Sequence, residues 1–188
     1  MKKYGFTNLL APAALVMFAA LACSSVTVGG PTPEYGPIAV STEAVGSLLD
    51  KFKSLSSATG EVTVSITESE LTSWLAGQLA SDTTATFTHP QVYLRDGQIK
   101  FYSTVVTSNF TANALVVMKA AVVNGQIDVS LVTADFGPVP VPGGMLKTLT
   151  STLNDKLLSL VNDAPGGVTV TAITVGDGAL TMTANIAP

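Results

Sequence analysis

"DFGPVPVPGGML", residues 135–146, is where this chain passes from one kind of structure to another. Its first three letters match the magnesium-binding tripeptide of protein kinases. A kinase site also needs a glycine-rich phosphate loop, a lysine-bearing strand and an HRD-type loop, and the sequence carries none of them. Pro138, Pro140 and Pro142 fix their φ angles and cannot donate ladder hydrogen bonds, so a sheet must stop here. Gly143 and Gly144 then let the chain turn. Beyond them Leu146, Leu149, Leu153, Leu157 and Leu160 recur three and four apart, the stripe of a long amphipathic helix over about residues 144–162. The stretch is an elbow between sheet and helix.

Working outward, both flanks of the elbow read as strands. Residues 92–106, "VYLRDGQIKFYSTVV", form a hairpin around Asp96-Gly97, and residues 114–136 form another around Asn124-Gly125. After the helix, "VTVTAITVGDGALTMTANI" turns at Gly176-Asp177-Gly178. Apolar faces are expected from Ile99, Phe101 and Val105, from Leu115, Val117, Ala121 and Val123, and from Ile127, Val129 and Leu131. Towards the N-terminus, Val45, Leu48, Leu49, Phe52 and Leu55 fall on one helical face, and Val62, Val64 and Ile66 alternate as a strand. "TESELTSWLAGQLA" opens with Thr67-x-x-Glu70, a capping box, and carries Leu71, Trp74, Leu75 and Leu79 as its apolar stripe. The fold class expected is α+β: a twisted antiparallel sheet wrapped around the long helix, with two further helices near the N-terminus. A one-sided antiparallel sheet must cover its apolar face, and the Leu146–Leu160 helix is the obvious cover.

The first 22 residues predict a secretory leader. Lys2 and Lys3 precede an apolar run from Leu9 to Ala22, too short to span a bilayer comfortably. Ala20-Leu21-Ala22-Cys23 resembles a bacterial lipobox, with Ala20 standing where leucine is usual. Cys23 is the single cysteine, so the domain is expected to fold without disulfides and Cys23 to be the lipidated N-terminus. Residues 23–41, rich in Gly, Pro, Ser and Thr, read as a flexible tether, and residues 42–188 as one domain. The expected location is the extracytoplasmic face of a bacterial cell membrane, or an outer membrane where the organism has one. Without Lys2 and Lys3 the chain has seven basic residues against thirteen acidic, a net charge of −6. That charge disfavours nucleic acid and electrostatic docking on anionic lipid, so attachment falls to the acyl chains.

The order "ITESELTSWLAGQL", "VYLRDGQIKFY", "DFGPVPVPGGMLKTLTSTLN", "VTVTAITVGDGALTMTA" resembles the LmeA/YpmS-like exported lipoproteins of bacteria. Those are similar to one half of the tubular lipid-binding (TULIP) fold. The resemblance covers residues 42 to 187 and rests on the order of elements. It implies a phospholipid or other apolar ligand held between sheet and helix, and brings no catalytic motif. Candidate groove residues are Trp74, Leu75, Leu79, Phe101, Val117, Leu131, Leu146, Leu149, Leu153 and Leu157.

Read from the residues alone, the leucine stripe fits a filled core as well as an open groove. Small residues such as Ala112, Ala114, Ala120 and Ala121, and a mean hydropathy of +0.46, incline towards a cavity. Catalysis finds little support. His89 is the one histidine and stands before Pro90, a position for a turn or strand edge; no Gly-x-Ser-x-Gly or Ser-x-x-Lys occurs. One histidine and no free thiol leave no metal set, and no cofactor is implied. Two functions remain: a lipid-anchored carrier of an apolar ligand, or a non-enzymatic structural and interaction module of the envelope.

Overall fold

The structure, a computed structural model, describes residues 26–55, 57–81, 87–107, 110–140, 143–144, 146–148, 150–151, 154–155 and 168–187. In chain order the elements are β1 (Val26–Val28), α1 (Thr42–Leu55), β2 (Gly60–Thr67), α2 (Glu68–Ser81), β3 (Phe87–Arg95), β4 (Gln98–Val106), β5 (Phe110–Val123), β6 (Gln126–Asp135), β7 (Val168–Val175) and β8 (Ala179–Ile186). A third helix is represented by helical residues 143–144, 146–148, 150–151 and 154–155. The class is α+β with antiparallel sheets. In place of one sheet there are two: β1-β5-β4-β3 with β6 on β5, and β2-β8-β7. Among the named strands only β1 pairs in parallel, with Val26 opposite Phe110.

The three expected hairpins are present, and the first two share a cause. Asp96 and Gly97 have φ of 56° and 70°, Asn124 and Gly125 have 52° and 77°, so both central residues of each turn are left-handed. That geometry matches the twist of the flanking strands, and Asn, Asp and Gly tolerate it best. The third turn holds the sheets together. Gly178 N donates to Leu94 O at 3.0 Å, and Val170 N donates to Gly125 O at 2.8 Å. β7 therefore runs across the end of the larger sheet and closes it, from the β5–β6 turn to the end of β3.

Each helix earns its place by burial. α1 starts at Ser41, whose Oγ accepts from Ala44 N at 3.2 Å, and buries Leu48, Phe52 and Leu55. The capping box at the start of α2 forms as read: Glu70 Oε2 accepts from Thr67 N at 2.8 Å, and Thr67 Oγ1 accepts from Glu70 N at 3.3 Å. Glu70 is 4% exposed and also receives Ser47 Oγ at 2.6 Å and Lys51 Nζ at 2.8 Å. Thus one carboxylate ties α1 to α2.

Burial pushes the Glu70 carboxyl up, but hydrogen bonds from Lys51, Ser47 and Thr67 with the Lys51 charge outweigh it, and it titrates below its ordinary 4.5. A carboxyl depressed on folding adds stability that is present above its unfolded value and lost as pH falls through the folded one. Glu70→Gln, which keeps the cap but not the charge, is expected to cost about 2 kcal/mol at pH 7. Thermal melts of both proteins from pH 7 to pH 3 should show the gap closing in acid. A gap unchanged at pH 3 contradicts the assignment.

The segment 23–41 differs from the expected tether. Over residues 26–40 it packs on the larger sheet. β1 extends that sheet, the Tyr35 ring sits 5.1 Å from Tyr93, and Arg95 lies 4.8 Å above Tyr35. The Gln91 amide accepts from Ile38 N at 2.6 Å and donates to Ile38 O at 3.1 Å, pairing with it as a strand would. Gly and Pro here suit an extended strap, because the sheet face supplies the partners that the segment lacks internally.

The elbow is structural. β6 stops at Asp135, whose Oδ1 accepts from Gly137 N at 2.7 Å, and Phe136 is buried with its ring edge-on to Phe87 at 6.4 Å. Gly137 has φ +64°, and a Cβ there would meet Gly30 Cα at 2.8 Å, so strap and elbow touch backbone to backbone. Past the elbow, Asn154 Oδ1 accepts from Val129 N at 2.9 Å and Asn154 Nδ2 donates to Val129 O at 3.1 Å. This amide satisfies the outer edge of β6 in mid-strand, where an open edge would invite foreign pairing.

Candidate functional site

The strand registers decide which residues face inward. Phe101 pairs with Val92 and Val116, and Ile99 with Leu94 and Met118, so these share the inner face of the larger sheet. Ala120 opposite Val129, and Val122 opposite Ile127, continue that face towards the β5–β6 turn. In the smaller sheet Ile66 pairs with Leu180 and Val64 with Met182. The two apolar faces meet, with α1 and α2 packed beside them.

Packing is incomplete at the centre. A cavity of about 80 Å³ lies between the sheets, bounded by Phe52 of α1 and by Leu71, Trp74 and Leu75 of α2. Its larger-sheet wall includes Val92, Phe101, Met118 and Ala120, and its smaller-sheet wall Ile66, Ile173, Leu180 and Met182. Every described residue on its wall is hydrophobic. Among the described residues no charged side chain reaches it, and the Trp74 indole N–H is the one ordinary hydrogen-bonding group on its wall, so this space is suited to bury hydrocarbon.

A second, wider cleft of about 420 Å³ opens at the other end of α2, lined by Val40, Ala76, Leu79, Ala80, Phe87 and the β3 residues that follow. There the β3–β4 register slips between Thr88 and Gln91, and His89 takes φ 51° in the bulge. His89 is exposed on an edge strand, as its place before Pro90 suggests.

The expected groove residues separate into groups. Trp74, Leu75 and Phe101 come together on the cavity wall, while Leu79 lines the second cleft. Leu146 is half-buried against the core. Val117 is buried on the opposite face of β5, and Leu131 is 38% exposed, so neither lines the cavity. Leu149, Leu153, Leu157 and Cys23 lie outside the described residues.

The expected β5 face of Leu115, Val117, Ala121 and Val123 is the outer one; Val116, Met118, Ala120 and Val122 face inward. β5 is apolar on both faces, so alternation alone cannot choose between them, and the pairing with β4 does. Val92, Met118, Met182 and Leu180 join the wall without having been singled out. The alternation of Leu180 and Met182 in the third hairpin was the available signal.

Electrostatics stay at the rim. Glu68 pairs with Arg95 and accepts from Leu94 N at 2.7 Å, fixing the start of α2 to the end of β3. Burial, then the Glu68 charge, pushes the Tyr93 hydroxyl above its usual range. Its O–H donates to Gly36 O at 3.0 Å, holding the strap. Among the described residues no group of three or more His, Cys, Asp or Glu could hold a metal, and no helix is long and apolar enough to cross a membrane.

Comparison with known proteins adds one finding. The family described as LmeA-like phospholipid-binding matches residues 24–185, which span strap, both sheets and all three helices. No curated protein matches the chain.

Proposed function

The chain belongs to the LmeA-like phospholipid-binding family, and from that premise we propose that it holds an acyl chain of a phospholipid between its two sheets. The observation that carries this reading is the hydrophobic cavity bounded by Phe52, Trp74, Leu75, Phe101, Met118 and Met182. At about 80 Å³ it is far smaller than the roughly 300–1,000 Å³ of ordinary ligand sites, so the walls must part to admit a chain. Met118 and Met182 suit that task, being unbranched and adaptable. The leucine stripe from Leu146 to Leu160 is the proposed cover; the half-burial of Leu146 against the core supports it. The role is binding without catalysis.

Anchoring completes the reading. The lipobox-like Ala20-Leu21-Ala22-Cys23 supports export and acylation at Cys23, which puts the domain on the extracytoplasmic face of a bacterial membrane. One observation favours the other reading, a structural envelope module with a filled core: the smallness of the cavity.

Trp74 separates the two, because it is the single tryptophan and lies on the cavity wall. Phospholipid brominated along its acyl chains is expected to quench Trp74 emission, while phospholipid brominated only in the headgroup leaves it unchanged. Native mass spectrometry of the same sample should show species heavier by one phospholipid. Unquenched emission together with a clean unliganded mass selects the filled-core module.

A further inference from the structure

One aromatic contact joins the wall of the cavity to the wall of the cleft. Phe101 lies on the cavity wall, Phe87 on the cleft wall, and their rings meet edge-on with centroids 6.0 Å apart. Both spaces also share α2: Trp74 and Leu75 serve the cavity, Ala76, Leu79 and Ala80 the cleft. Around this contact the inner face carries an anomaly. Ser103 pairs with Ala114 between Phe101 and Val105, which puts its side chain on the apolar face, opposite the β3 bulge. It is 6% exposed, and its Oγ is the one buried side-chain polar atom among the described residues that has no hydrogen-bond partner. A buried hydroxyl left unpaired is costly and signals a missing partner.

Resting on the lipid-binding reading above, we propose that the cleft is the port through which an acyl chain enters, with Phe87 as its gate and Ser103 as its polar stop. The chain passes between Phe87 and Phe101 into the cavity. The headgroup stays outside beside His89, which is exposed in the bulge. The ester group between them stops at Ser103, whose O–H donates to the ester carbonyl. The cleft, at about 420 Å³, is large enough for the part of the lipid that the inner cavity is too small to hold. The β3 bulge gives the mouth its width, since the chain there bends out of the ladder.

The test follows transfer of a pyrene-acyl phospholipid from vesicles to the full chain, read by energy transfer from Trp74. Ala80→Leu adds bulk at an exposed position of the mouth without a second fluorophore and is expected to slow uptake about tenfold with an unchanged melting temperature. Phe87→Leu removes the gating ring but keeps an apolar side chain, and should speed uptake. Ester-linked phospholipid should bind about fivefold tighter than its ether-linked analogue, a preference that Ser103→Ala abolishes. If the wild type takes up lipid and neither Ala80→Leu nor Phe87→Leu changes the rate, the port lies elsewhere while lipid binding stands. Equal affinity for ester and ether lipids in the wild type overturns the role of Ser103. If the wild type takes up no lipid, the functional reading fails and the port with it.

Discussion

Phe101→Ala is expected to cost about 3–5 kcal/mol, the range for deleting a buried aromatic ring. Phe101 is 1% exposed, lies on the cavity wall and supports the Phe87 ring edge-on. Truncation therefore removes buried area, one aromatic pair and part of the cavity wall together. For a chain of this length the loss corresponds to a fall in melting temperature of about 10 °C or more. The same substitution enlarges the interior, so a ligand that fills it recovers part of the loss. A ligand at about a hundred times its Kd stabilises by about 2.7 kcal/mol. Differential scanning calorimetry with and without short-chain phospholipid should show a larger upward shift for Phe101→Ala than for the wild type. Equal shifts show that lipid does not fill this space.

Cys23→Ala is expected to act on location, with an all-or-none result. If Cys23 carries the acyl chains, labelled palmitate incorporation falls to background and the protein leaves the membrane fraction. A single acyl chain binds membranes only marginally, so stable attachment relies on the two or three chains of a lipoprotein N-terminus. The melting temperature should not move, because no second cysteine exists to pair with. Undiminished labelling contradicts acylation at Cys23, and retention in membranes without labelling identifies a second attachment.

Much of the architecture was legible in the sequence where chemistry is local. Asp96-Gly97 and Asn124-Gly125 dictate their turns through left-handed φ, and Thr67 with Glu70 dictates the start of α2. What escaped depends on partners far along the chain. β5 reads "FTANALVVMKAAVV", apolar on both faces, so only its register with β4 reveals that Met118 points in and Val117 out. The split into two sheets was hidden because β2 pairs with β8, more than a hundred residues away, rather than with its neighbour β3. Of the candidate site, Trp74, Leu75 and Phe101 were found because aromatic and leucine stripes mark an interior wherever it lies. Met182 and Leu180 were missed because their sheet had no separate existence in the sequence pattern. The strap was missed because Gly and Pro suggest freedom, whereas Tyr35 and Ile38 are fixed by Tyr93, Arg95 and Gln91 on the sheet beneath.

That strap changes the mechanics of the proposed anchoring. A free segment from Cys23 to Ser41 could extend about 60 Å and let the domain roam a hemisphere of that radius above the bilayer. With β1 paired to β5 from Val26 onward, only Ser24 and Ser25 separate the proposed anchor from the first paired residue, a leash of about 10 Å. If Cys23 is acylated, so short a leash keeps the domain on the headgroups and reduces its freedom to rocking about the β1 corner. The sheet edge at Val26 becomes the pivot, and every other surface has its height above the membrane set by its distance from that point.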